Sequence, residues 1–77
     1  MHILMKNYLE INMSKYPDVE VELVGQDGNA FLILGKVQKA LRRAGVSEEE
    51  VKQYYEEATA GDYNHLLRTT MDWVEVS

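Results

Sequence analysis

The chain has 77 residues, 45% of them hydrophobic, a formal net charge of −5 and no cysteine. A chain this short holds one domain and buries only about 60% of the surface its unfolded form exposes, so a homodimer would relieve an undersized core. The missing thiols exclude disulfides, thiolate zinc sites and thiol redox chemistry and fit a cytoplasmic setting, and no stretch approaches the roughly 18 apolar residues of a membrane-spanning helix.

The charge is unevenly spread. Residues 1–44 carry six Lys/Arg against five Asp/Glu, a balance of +1, and residues 45–77 carry two against eight, a balance of −6. A negative total argues against non-specific nucleic-acid binding, which needs phosphate neutralisation.

Residues 1–15 form an N-terminal segment of ambiguous type. Ile3, Leu4, Tyr8 and Ile11 make a weak helical face, the opening residues are too short in apolar character for a signal peptide, and Met13 offers an alternative start. Residues 16–77 read as a single small α+β domain. Tyr16-Pro17 is expected to break local structure. A strand then follows, in which Val19, Val21 and Leu23 alternate with Asp18, Glu20 and Glu22. Its acidic row is either a docking face or a solvated edge that discourages aggregation.

Gly25-Gln26-Asp27-Gly28-Asn29 is a turn cluster, and Asn29 is placed to cap a first helix over residues 30–44. Ala30, Ile33, Leu34, Val37, Leu41 and Ala44 recur at helical spacing as its buried stripe, flanked by Phe31. Gly35 inside the helix points to a close backbone approach, and Gly45 to a left-handed helix end. Ser47 with Glu50 predicts a capping box for a second helix, with Val46 stapling onto Val51. The inward face of that helix is Val51, Tyr54, Tyr55 and Ala58. Gly61 is expected to end it. Asp62 caps a third helix, whose apolar side is Leu66, Leu67, Thr70, Met71 and Val74, with Tyr63 and Trp73 near its ends. Residues 73–76 either continue the helix or leave it and pair with the first strand as a two-stranded sheet. The fold class is α+β: one N-terminal strand, then three short helices, with that C-terminal strand as a closing element.

No constellation of catalytic groups emerges, and the expectation is no enzyme, no cofactor and no metal. His2 and His65 lack ligand partners at matched spacing, and Asp62 with His65 is a capping pair. Ser47 is a cap, and neither Ser14 nor Ser77 has a base nearby in sequence. The adjacent glutamates of residues 48–50 and 56–57 point about 100° apart on a helix and cannot converge on a substrate. The turn cluster has the strand-to-helix context of a phosphate loop but neither nucleotide fingerprint. Gln26, Asp27 and Asn29 are therefore candidate contact residues of a polar loop.

Lys36, Lys39 and Arg43 recur at i, i+3, i+7 with Arg42 beside them, and the first helix holds no acid. This stripe is a candidate binding patch, or it complements the five glutamates of the second helix. A helix-turn-helix is excluded, because those glutamates would face phosphates and the third helix offers only Arg68 against Asp62 and Asp72.

The string Val21-Glu22-Leu23-Val24-Gly25-Gln26-Asp27-Gly28-Asn29-Ala30-Phe31, with Leu41-Arg42-Arg43-Ala44-Gly45 and Gly61-Asp62-Tyr63 through Leu66-Leu67, resembles a family of small bacterial and phage (prophage) proteins to which no activity is attached. The resemblance covers residues 16–76 and implies a phage or mobile-element setting and nothing catalytic. The functional expectation is a protein–protein interaction module that binds and modulates a host or phage protein, with Tyr54, Tyr55, Tyr63 and Trp73 as aromatic anchors. The alternative is a nucleic-acid-binding accessory protein using Lys36, Lys39, Arg42 and Arg43.

Overall fold

The computed structural model describes residues 14–23 and 29–77. Its elements run β1 (Tyr16–Val21), α1 (Ala30–Arg43), α2 (Glu48–Ala58), α3 (Tyr63–Trp73) and β2 (Val74–Val76). This is the expected α+β layout with the closing strand formed, and β1 and β2 pair in parallel. Parallel strands cannot be joined by a tight hairpin and need a long crossover, which the three helices supply. The weak helical face of the N-terminal segment and the alternative start at Met13 lie outside the described residues. So do Val24, Gly25, Gln26, Asp27 and Gly28 of the turn cluster.

β1 follows the alternation, with Val19 and Val21 buried and Asp18 and Glu20 exposed. Its start differs from expectation, because Tyr16 and Pro17 belong to the strand rather than breaking it. The register explains why: Tyr16 pairs with Val74, Glu20 with Glu75 and Val21 with Val76, so residues 17–19 bulge out between two ladder positions. Proline has no amide to donate and is tolerated in such a bulge.

In α1 the Asn29 side chain accepts the Leu32 amide at 3.1 Å, and Ile33, Leu34, Val37 and Leu41 are buried. Val37 and Leu41 are fully covered, a contribution of about 1.5–3 kcal/mol each relative to exposure. Ala44 is the exposed C-cap rather than part of the stripe, and Gly45 takes φ +87°, the left-handed conformation expected of it. Among the described residues Gly35 marks no close approach. It is exposed, and apart from its chain neighbours and its own helix backbone no described atom lies within 4 Å of where its Cβ would stand.

Ser47 caps α2 by accepting the Glu50 amide at 3.3 Å. The capping box is only half made, because the Glu50 carboxylate turns instead toward Tyr16 and Lys15. Val46 is half-buried against the core that contains Val51. The helix ends at Thr59, whose hydroxyl donates to the Tyr55 carbonyl oxygen at 2.7 Å, two residues before Gly61. Gly61 serves a different purpose from the expected helix stop, since a Cβ there would lie 2.7 Å from Cγ of His65. The His65 ring is held in place by donating from Nε2 to the Glu57 carbonyl oxygen at 2.8 Å, and Asp62 accepts the His65 amide at 2.9 Å as the α3 cap.

Two inward faces keep most of their expected residues, Val51, Tyr54 and Ala58 on α2 and Leu66 and Thr70 on α3, and differ at one position each. Tyr55 is 41% exposed and Met71 53% exposed, whereas Thr69, Thr70 and Trp73 are buried beside Leu66. The Tyr54 hydroxyl and the Thr70 hydroxyl share a buried 2.8 Å hydrogen bond, so the helix face that takes in a threonine satisfies a phenol. Trp73 sits where α3 passes into β2. Its ring stacks on Tyr16 at 5.9 Å and meets Tyr54 edge-on at 5.7 Å, and its indole N–H donates to Glu57 at 2.9 Å.

The three glycines therefore have different expected responses to alanine. Gly35→Ala should stabilise the protein by about 0.5–1 kcal/mol, by reducing the entropy lost in a helix interior. Gly45→Ala should destabilise it by about 1–2 kcal/mol through the left-handed backbone. Gly61→Ala should also destabilise it, by displacing His65. Urea midpoints at constant m-value check all three, and a destabilised Gly35→Ala would show that a second backbone does pack there.

Candidate interaction surface

The surface is generated by the direction of the β1 peptide groups. Along a strand, successive peptide groups point to alternate sides. The Ser77 amide donates to the Val21 carbonyl oxygen at 3.0 Å, and the Leu23 amide donates to the Ser77 carbonyl oxygen at 3.1 Å. Val21 and Leu23 therefore address β2, and the peptide groups of Glu20 and Glu22 face the opposite edge, which no described strand occupies. Among the described residues the Glu22 carbonyl oxygen accepts from Lys36 Nζ, and outside the β1–β2 ladder no backbone group bonds to the Glu20 or Glu22 amide.

A trough runs along this edge, between β1 on one side and α1 with the α1–α2 turn on the other. Three adjoining cavities compose it. The largest, about 390 Å³, lies between residues 16–19 and residues 44–47, with Glu50 at its side. A second of about 250 Å³ shares Asp18, Val19 and Ala44 with it, and a third of about 240 Å³ shares Glu20, Ala40 and Arg43 with the second. The small side chains of Ala40 and Ala44 leave the space. The walls carry opposite charge, with Asp18, Glu20 and Glu22 on the strand and Lys36, Lys39 and Arg43 on the helix.

The structure thus separates the candidate residues. Lys36, Lys39 and Arg43 stand together on the trough. Arg42 points elsewhere and donates from Nε to Glu48 at 2.8 Å, at the α1–α2 junction. Asn29 is occupied as a cap, and Gln26 and Asp27 lie outside the described residues. The basic stripe does not complement α2 as a whole. One residue on a helix is a 100° step, and that step sends Arg42 toward α2 while Arg43 and Lys39 line the trough beside β1. Of the expected aromatic anchors, Tyr54 and Trp73 belong to the core, while Tyr55 is exposed and Tyr63 half-buried. A second, apolar corner exists where Phe31, 84% exposed, and Tyr55 flank a cavity of about 250 Å³ floored by Leu34, Ala58 and Leu66. Among the described residues no group of histidine, aspartate and glutamate is arranged to hold a metal ion.

The lower end of the trough is tied by charge. The Tyr16 hydroxyl donates to Glu50, and Lys15 lies 3.4 Å from the same carboxylate and 4.3 Å from the Trp73 ring centre. The Tyr16 hydrogen bond holds the Glu50 carboxyl below its ordinary 4.5, with Lys15 adding to it and partial burial opposing it. The same bond, followed by burial, raises the Tyr16 phenol. The Trp73 indole and then the Gln53 amide lower Glu57, and Arg42 lowers Glu48.

No protein-family model matches the chain, and neither a curated protein nor a solved structure matches it. No helix among the described residues is long and apolar enough to cross a membrane.

These carboxyls set an acid limb. A group whose pKa is depressed on folding contributes stability above its unfolded value and loses it as pH falls through the folded one. The urea midpoint should therefore decline below pH 4.5, and Glu50→Gln and Glu57→Gln should each make the decline shallower. A wild-type midpoint that holds steady into acid would contradict this.

Proposed function

We propose that the protein is a protein–protein interaction module whose binding face is the trough beside β1. The observation that supports this reading most directly is the open edge itself. Outside the β1–β2 ladder no described backbone group pairs those of Glu20 and Glu22, which stand next to a preformed groove with charged walls. Loop and edge groups held on a rigid scaffold are where contacts form, and small domains reuse them as docking surfaces. Nucleic-acid binding through α1 has less support, because the stripe of Lys36, Lys39 and Arg43 is bordered by three acids and Arg42 is paired with Glu48. A phosphate backbone laid on the stripe would meet Glu20 and Glu22.

Capture of partners by the tagged full chain from host lysate, with and without nuclease, tests the reading when run on three forms. Ala44→Trp fills the trough from an exposed position and should reduce recovery of the bound partner by at least about tenfold. Phe31→Ser at the apolar corner should leave it unchanged. Loss on Phe31→Ser alone would move the interface to that corner, and loss on nuclease treatment would favour nucleic acid.

A further inference from the structure

Resting on that reading, we infer that the occupant of the trough is an extended peptide segment that adds as a third strand to the edge of β1 that no described residue pairs, with Lys or Arg at alternate positions and small or acidic residues between them. The argument starts from the alternation of β1. Val19 and Val21 point into the core, so Asp18, Glu20 and Glu22 project from the outer face, and it is the peptide groups of Glu20 and Glu22 that face the trough. A strand laid there forms backbone hydrogen bonds with them, and its side chains alternate between the two faces of the extended sheet. Those on the outer face lie beside the three acids. Those on the inner face lie over Ala40 and between Lys36, Lys39 and Arg43. Opposite charges directly across a strand pair are favourable and like charges unfavourable, so the outer positions select cations and the inner ones small or acidic residues.

The same reasoning disfavours a second copy of this chain. Antiparallel pairing of β1 with its counterpart would place Asp18, Glu20 and Glu22 against one another on one face, which is the device proteins use to keep edges from self-associating. The trough also has the right length, since its three adjoining cavities follow residues 16–22 and an added strand advances about 3.3 Å per residue. Lys36 bonded to the Glu22 carbonyl oxygen marks one end, and the Tyr16–Glu50 contact the other.

Amide NMR of the ¹⁵N-labelled full chain tests this with end-blocked heptapeptides alternating Lys-Ala or Glu-Ala, and with the Lys-Ala peptide N-methylated along the edge-facing side. The Lys-Ala peptide should shift the amides of Asp18, Glu20 and Glu22 saturably and bind at least about tenfold more tightly than the Glu-Ala peptide. N-methylation should abolish binding, and the double variant Glu20→Lys, Glu22→Lys should reverse the preference. Equal affinity for both peptides, or undiminished binding of the N-methylated one, would overturn the inference. So would shifts of these amides with protein concentration alone, which make the occupant a second copy. Protection of the same amides from exchange in the free full chain would overturn it too, by making the occupant the chain itself. A partner that is lost on Ala44→Trp while all peptides fail would leave the interaction module standing and remove only the strand.

Discussion

The contact on which the rest of the architecture depends is that of Trp73 with Tyr16 and Tyr54. Trp73 is the last residue of α3, and β2 begins at the next residue with no loop between them. A large ring held from three directions therefore fixes both where the helix stops and where the strand starts. Tyr16 stacks on one side, Tyr54 meets an edge, and Glu57 accepts the indole proton. Because Tyr16 is also the ladder partner of Val74, the aromatic contact sets the register of the sheet at its first position. Buried aromatic pairs contribute about 0.5–1.5 kcal/mol beyond the area they cover, which matters in a domain with so little interior.

From that register the open edge follows. With Val21 and Leu23 bonded to Ser77, Glu22 between them turns its peptide groups outward, and among the described residues no third strand covers that edge. α1 lies beside the strand but presents Ala40 and Ala44 to it, so the helix approaches without filling the space. Larger residues at these two positions would close the trough. The feature offered for binding is thus a consequence of the crossover topology combined with two small side chains.

Much of this was legible in the sequence, and the limits have physical causes. Asn29, Ser47 and Asp62 announce their helices because a cap is a local hydrogen bond, decided within four residues. The alternation of Val19 and Val21 with acids announces β1 for the same reason. Pairing direction was not legible, since β2 is three residues long and carries no record of the strand it meets. The spacing places Val51, Tyr54, Ala58, Leu66 and Thr70 on the buried faces of α2 and α3, where they lie, but Tyr55 and Met71 are apolar enough to be mistaken for core while Thr69 is not. The spacing puts Thr70 inside, and the Tyr54 hydroxyl is the tertiary partner that satisfies it there. The basic stripe was visible as a stripe, but a periodicity says which residues share a face and not what that face looks at. Its neighbour turned out to be the strand rather than the second helix.

That neighbour gives the acidic row two roles at once. An uncovered strand edge is a standing invitation to pair with any extended chain, and an alternation of acid and valine would ordinarily pair best with itself through its apolar face. Here the apolar face is consumed by the core, with Val19 and Val21 buried, so only the acids remain to decide what approaches. They repel a copy of the same strand and attract one of complementary charge, and the cations of α1 impose the opposite preference on the other face of an incoming segment. Protection against self-association and selectivity for a partner are then one property of Asp18, Glu20 and Glu22. Neutralising these residues would weaken both together.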